Sequence, residues 1–159
     1  LSLMGAKVTA ITGKKTSDQY LNNLGSSKII QREEFVNSTR LPLSKGVYDA
    51  AVDTVGGNIL STILACMKYN GIITACGNVA GANFTTSVFP FILRKNRLIG
   101  IDSATCSISI REKIWNKFST IWRLKSLDHI CKMINLGSLD KEIKKILCGE
   151  QVGRIIVQL

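Results

Sequence analysis

From Val8 to Asp102, short apolar runs alternate with segments patterned as helices, and this alternation restricts the chain to one fold class. Val8–Thr12, Ser27–Gln31, Tyr48–Val55, Gly71–Cys76 and Leu98–Asp102 read as strands. Val8–Thr12 reads as buried, and Tyr48–Val55 is almost continuously apolar, as expected of a strand covered on both faces. Thr16-Ser-Asp-Gln19 has the form of a capping box opening a short helix that ends at Gly25. Gly56-Gly57 turns the chain into a helix over about 58–68. Strands alternating with helices imply right-handed crossovers and a doubly wound parallel sheet, an α/β fold of Rossmann type. Beyond Asp102 the pattern changes. Ser109-Ile-Arg-Glu112 is a second capping box, and Ile110, Ile114, Trp115, Phe118, Ile121 and Trp122 form a helical stripe whose plain meaning is packing against a core. A strand near 130–134, a helix over 140–147 and a last strand, Arg154–Gln158, complete the chain.

The length of 159 residues suits about one domain, and 45% apolar content suits a globular chain. No apolar run reaches the roughly 18 residues of a membrane span. Leu1-Ser-Leu-Met lacks the form of a secretory signal, so the expected compartment is the cytoplasm. Leu1–Lys7 reads as the last turns of a helix ending at Gly5, and the chain as the C-terminal part of a longer protein. The five cysteines, Cys66, Cys76, Cys106, Cys131 and Cys148, contain no Cys-x-x-Cys pair and read as free buried thiols. Only His129 could join them at a metal, and it has no partner at ligand spacing, so no metal is expected. The net charge of +10 raises nucleic acid as a partner, but the cations are dispersed and not interleaved with aromatics. A surface suited to phosphate-bearing small molecules fits them better.

Ligands of such sheets bind beyond the carboxyl ends of the strands. Four strand ends carry small, glycine-rich or hydroxyl residues: Thr12-Gly-Lys-Lys15, Asp53-Thr-Val-Gly-Gly57, Cys76-Gly-Asn-Val-Ala-Gly81 and Gly100-Ile-Asp-Ser103. The first is the most specific. In a dinucleotide fold the end of the second strand faces the adenosine 2′ position, where an acid selects NAD and cations accommodate the 2′-phosphate of NADP. Lys14 and Lys15 stand there, although a solvated turn after an ordinary strand has the same composition. Groups for acid–base work are scarce. Asp53 and Asp102 read as turn or capping carboxylates, Cys76 as a small thiol and His129 as surface or structural. No catalytic residue is assigned, which suits chemistry carried by a cofactor.

Val8–Lys14, Asp18–Gly25, Tyr48–Gly56, Ala75–Asn78, Pro90–Arg94 with Arg97–Ser103, and Gln151–Val157 together resemble the medium-chain dehydrogenase/reductase superfamily. Within it they are similar to the zinc-free quinone-oxidoreductase-like branch that includes bacterial acryloyl-CoA reductases. The resemblance implies that Thr12, Gly13 and Lys14 hold the 2′-phosphate, with Lys14 standing where the branch has arginine. It places Thr54 and Val55 near the adenosine and ribose, and Cys76, Gly77 and Asn78 at the nicotinamide ribose. It places Ile101, Asp102 and Ser103 at the nicotinamide edge, with Arg154 approaching from a returning strand. Residues 1–125 are then a dinucleotide-binding domain lacking its first strand and glycine turn, and 126–159 a piece of a GroES-like catalytic domain. The implied activity is NADPH-dependent hydride transfer to a quinone or to the conjugated double bond of an enoyl-CoA thioester. The fragment alone is expected to be inactive. The expected partners are that small molecule and a second copy in a homodimer, with no nucleic acid and no membrane. A non-catalytic dinucleotide-sensing domain is the alternative.

Overall fold

The computed structural model describes residues 1–124 and 129–159. The domain boundary expected at 125/126 lies outside them. The first strand, β1 (Val8–Thr12), is rich in β-branched residues and pairs in parallel with β2 (Ser26–Gln31). A short helix, α1 (Asp18–Asn23), connects them. A second helix, α2 (Arg32–Asn37), follows β2 without a break and was not foreseen from the pattern. Its first turn carries Glu33 and Glu34, which favour a helix N-terminus, and its Phe35 is buried. The chain then forms β3 (Tyr48–Asp53), α3 (Gly57–Cys66), β4 (Met67–Ala75), the one-turn α4 (Phe89–Ile92) and β5 (Arg97–Gly100). β3, β4 and β5 make a second parallel sheet in that order.

The expected single doubly wound sheet is therefore present as two parallel pieces, with no ladder between β1 and β3. Both pieces share one core. Ile30 and Phe35 from the first piece cluster with Ile59, Leu60, Ile63, Leu64, Met67 and Ile73 from the second. Phe35 also meets Tyr48 with ring centroids 6.3 Å apart. Burial raises the pKa of the Tyr48 phenol, the nearby Cys66 adds to this, and the Thr9 hydroxyl facing it from β1 lowers it. Arg94 stitches the far end of this core. Its guanidinium donates to the carbonyls of Ala65 (3.0 Å) in the last turn of α3, Met67 (2.7 Å) at the start of β4 and Ser44 in the loop before β3, which ties these three segments together.

The last part of the chain holds α5 (Ile108–Ser119), β6 (Cys131–Asn135), α6 (Leu139–Leu147) and β7 (Arg154–Gln158). β6 and β7 form a separate parallel pair. Glu142 is buried beside them and bonds Lys132 (2.9 Å) and Lys145 (3.1 Å), which hold its carboxyl below the usual range in that order of importance. Among the described residues no helix is long and apolar enough to cross a membrane.

Several expectations are corrected. Neither capping box forms. α1 starts after Ser17, whose hydroxyl donates to the Lys14 carbonyl (2.8 Å) and meets the Thr12 hydroxyl. α5 starts at Ile108, ahead of the expected box, and has no side-chain cap bond. The α5 stripe packs on no core, and none of its residues is buried. β1 is only half-buried, and Ala50 and Val52 of β3 are exposed, so neither strand is covered on both faces. The first residues form a 3-10 turn, Ser2–Met4, closed by Gly5 in the left-handed region. The cysteines are all unpaired, but Cys76 and Cys148 are exposed and only Cys66 is buried.

Candidate cofactor crevice

The carboxyl ends of β3, β4 and β5 come together. The Cys76 amide donates to the Asp53 carbonyl (2.9 Å), and the Ile101 amide to the Ala75 carbonyl (2.9 Å). These bonds bring the three strand ends level. They border a crevice of about 630 Å³ lined by Ala75, Cys76, Gly77, Asn78, Gly100, Ile101 and Asp102. Five of the residues expected at a nicotinamide ribose or edge are thus neighbours. Gly77 lies so close to Thr54 that a Cβ there would collide with the Thr54 carbonyl oxygen. Gly56 turns the chain with φ 71°, and a Cβ on it would stand 2.6 Å from the Gly81 carbonyl. The Ala80 amide donates to the Val55 carbonyl (2.8 Å) and closes this wall.

Both candidate carboxylates are committed to turns. Asp53 is buried and accepts the amides of Val55 (3.2 Å) and Gly56 (3.0 and 3.1 Å). Asp102 accepts the Thr105 hydroxyl and the amides of Ala104 (3.0 Å) and Thr105 (3.1 Å). The Thr105 bonds, side chain first, hold the Asp102 carboxyl below the usual carboxylate range. Acceptors so fixed build the loops and do not shuttle protons. The Cys76 thiol lies 3.5 Å from the Asp53 carbonyl oxygen. The Ser103 carbonyl is taken by the Arg111 guanidinium.

A second group of residues stands at the ends of β1 and β2. The Thr12 hydroxyl accepts the Lys14 amide (3.1 Å) and shapes the turn. Lys14 does not project freely, because its ammonium donates to the backbone carbonyl of Gln151. Arg32, the first residue of α2, lies over Gly13. A Cβ on Gly13 would stand 3.2–3.4 Å from the guanidinium atoms. Arg32 is exposed and forms no ion pair among the described residues. It presents a planar fork beside the turn expected to hold a phosphate. The sequence reading passed over it because Gln31-Arg32 has no glycine, yet it too follows a strand end. Arg154, expected at the cofactor, lies on β7, and its guanidinium reaches the Gly153 carbonyl (3.2 Å). The structure does not bring it to the crevice. Among the described residues no group of three or more His, Cys, Asp or Glu could hold a metal ion.

Residues 1–124 match the family of zinc-binding dehydrogenases, and the chain belongs to that family. Its relatives are oxidoreductases of the medium-chain dehydrogenase/reductase superfamily. Acrylyl-CoA reductase AcuI of Ruegeria pomeroyi is 31% identical over the whole of this chain and 48% of its own length. The crystal structure of Escherichia coli K-12 YhdH with bound NADPH superposes with a TM-score of 0.90 at 34% identity, over 98% of this chain and 47% of that one. Bacillus subtilis YhfP, named as a quinone oxidoreductase and crystallised with NAD bound, gives 0.91 at 35% identity, over 99% and 48%. The chain thus spans about half the length of these relatives.

Proposed function

We propose that this chain supplies the adenosine and nicotinamide-ribose walls of an NADPH-dependent oxidoreductase that reduces an activated double bond, as in an enoyl-CoA thioester, or a quinone. The observation that carries the reading is the Gly13–Arg32 contact beside Lys14 and Lys15, where no acid occupies the position that would select NAD. The NADPH seen in the E. coli relative supports it. The residues present fit such a cofactor. Arg32 and Lys15 carry exposed positive charge, and Gly13 and Gly77 leave room for close approach. Thr12, Gly13 and Arg32 grip the 2′-phosphate, with Lys14 adding charge once it leaves the Gln151 carbonyl. Thr54 and Val55 line the adenosine side. Cys76, Gly77 and Asn78 border the nicotinamide ribose, with Ile101, Asp102 and Ser103 at its edge. Reduced nicotinamide supplies the hydride, and this chain positions it without a metal. Residues 1–125 form the dinucleotide-binding part, and 126–159 belong with a substrate domain. The fragment alone is inactive. The β5 edge, with Ile99 and Ile101 exposed, joins two copies into a homodimer. In sedimentation the full-length protein is a dimer that Ile101→Lys shifts toward monomer.

The test is NADPH oxidation by the full-length protein with acryloyl-CoA, crotonyl-CoA and a benzoquinone side by side. Turnover of one class supports the reading and names the acceptor. Absence of NADPH binding by calorimetry, with no turnover of any, favours another function for the crevice.

A further inference from the structure

A second cavity, of about 400 Å³, shares no lining residue with the crevice. Its volume lies within the range of small-molecule sites, about 300–1,000 Å³. The floor is one face of α3, where Asn58, Ser61, Thr62 and Ala65 recur at helical spacing. One wall is formed by Val36 of α2 and residues 39–42 after it, the other by residues 85–87 of the long loop between β4 and α4. Both walls are anchored. The Ser61 hydroxyl accepts the Thr85 amide (3.2 Å), which ties the second wall to the helix, and Val36 packs on the core beneath the first. The charge in the cavity is of one sign. Among the described residues no Asp or Glu lines it, whereas Arg40 is exposed at its rim and forms no ion pair. The Thr39 hydroxyl accepts the Leu41 amide (3.1 Å), and the Ser87 hydroxyl accepts the Phe89 amide (3.2 Å). A hydroxyl that accepts an amide keeps its own proton to donate. Each wall therefore carries one oriented hydroxyl donor, and the guanidinium fork stands next to the first.

We propose that this cavity binds a phosphate monoester. Arg40 forks onto two phosphate oxygens, and the Thr39 and Ser87 hydroxyls donate from opposite walls. Donors on two walls suit a tetrahedral group with three free oxygens better than a planar carboxylate with two. Leu41 and Pro42 give the organic body of the ester an apolar surface beside these donors. The ester is either a free nucleotide or the ribose phosphate of a CoA thioester, which present the same chemistry. The site is independent of the reductase reading, since no residue of the cofactor crevice and neither Lys14 nor Arg32 takes part in it.

The full-length protein, with NADPH in excess, is titrated by calorimetry with AMP, adenosine, inorganic phosphate and acetate. AMP binds more tightly than adenosine, and phosphate more tightly than acetate. Arg40→Ala weakens AMP by roughly ten- to a hundredfold, the loss of a charge-assisted hydrogen bond. Arg40→Lys, which keeps the charge and loses the fork, weakens it less. Arg32→Ala leaves AMP binding unchanged, which separates this cavity from the 2′-phosphate turn whether or not NADPH occupies the crevice. Arg40 is exposed, so its variants keep the urea midpoint of the parent and the losses are not losses of fold. Displacement of AMP by coenzyme A identifies the thioester as the source of the phosphate, and AMP that coenzyme A does not displace identifies a free nucleotide. Adenosine binding as tightly as AMP overturns the proposal. So does acetate binding as well as phosphate, or a loss that follows Arg32 and not Arg40. No outcome depends on NADPH turnover.

Discussion

α3 and α5 are the two longest helices described, and in sequence both show apolar residues at helical spacing. In the structure they share almost nothing. α3 buries eight of its ten residues beneath the sheet, with Leu64 wholly inaccessible. α5 buries none of its twelve, and Trp115 is 70% exposed. An apolar stripe states that a helix has a face to bury, and it does not state that the partner lies in the same chain. The difference follows the division of the fold. α3 sits on β3 and β4, which are present. α5 stands apart from both sheet pieces, in a chain about half as long as its relatives.

The contrast is broken most directly in α3. Leu64→Ala removes a side chain with no solvent exposure and should cost about 2–5 kcal/mol, read as a fall in the urea midpoint. A cost below 1 kcal/mol would mean that α3 is as loosely held as α5. Gly77→Ala should come next, at about 2–3 kcal/mol, because its Cβ would meet the Thr54 carbonyl where β3 and β4 end. Its second effect should be a narrowed crevice and weaker cofactor binding by the full-length protein. Unchanged affinity would detach the crevice from the cofactor.

Arg32 sharpens a comparison within the site itself. Lys14 is held by the Gln151 carbonyl, whereas Arg32 has its guanidinium open beside Gly13. In the full-length protein Arg32→Ala should weaken NADPH by roughly ten- to a hundredfold, the worth of one charge-assisted hydrogen bond at about 1.5–3 kcal/mol. NADH binding should hardly change. Lys14→Ala should cost less for NADPH than Arg32→Ala, because its ammonium must first leave the carbonyl. Calorimetric titration of both variants with both cofactors checks this, and equal losses for NADPH and NADH would remove the 2′-phosphate assignment.

What was legible in the sequence follows from the same physics. The strand runs, the glycine turns and the turn roles of Asp53 and Asp102 were readable because each depends on residues close in sequence. β1 and β7 have the expected limits. α2 was missed because six residues, Arg32–Asn37, are too few to show a period. Arg32 was missed with it, since its placement over Gly13 depends on how β2 lies beside β1. Burial of β1, β3 and α5 was misjudged for one reason: apolar pattern reports a demand for cover, and the cover is supplied by tertiary structure. Arg154 was assigned through resemblance alone, and its guanidinium lies on its own Gly153 carbonyl.

The smallest expected effect carries the comparison furthest. Trp115 packs at a tilt on Phe118 at 5.9 Å, Phe118 meets Trp122 edge-on at 5.7 Å, and Lys117 lies 4.8 Å above the Trp122 ring. This is a cluster on the surface of the helix and not a core. In the chain alone Trp115→Ala loses one ring pair in water and little burial, so it should cost about 0.5 kcal/mol or less. A contiguous apolar stripe of this kind is a face awaiting cover. If the other half of the fold supplies that cover, the same substitution in the full-length protein removes buried apolar surface and should cost about 2 kcal/mol or more. The losses in urea midpoint, measured in this chain alone and in the full-length protein, therefore test why α5 and α3 differ. An equal and small cost in both would show that α5 faces solvent in the complete assembly. The stripe would then owe nothing to the missing half, and the contrast with α3 would belong to the helix itself.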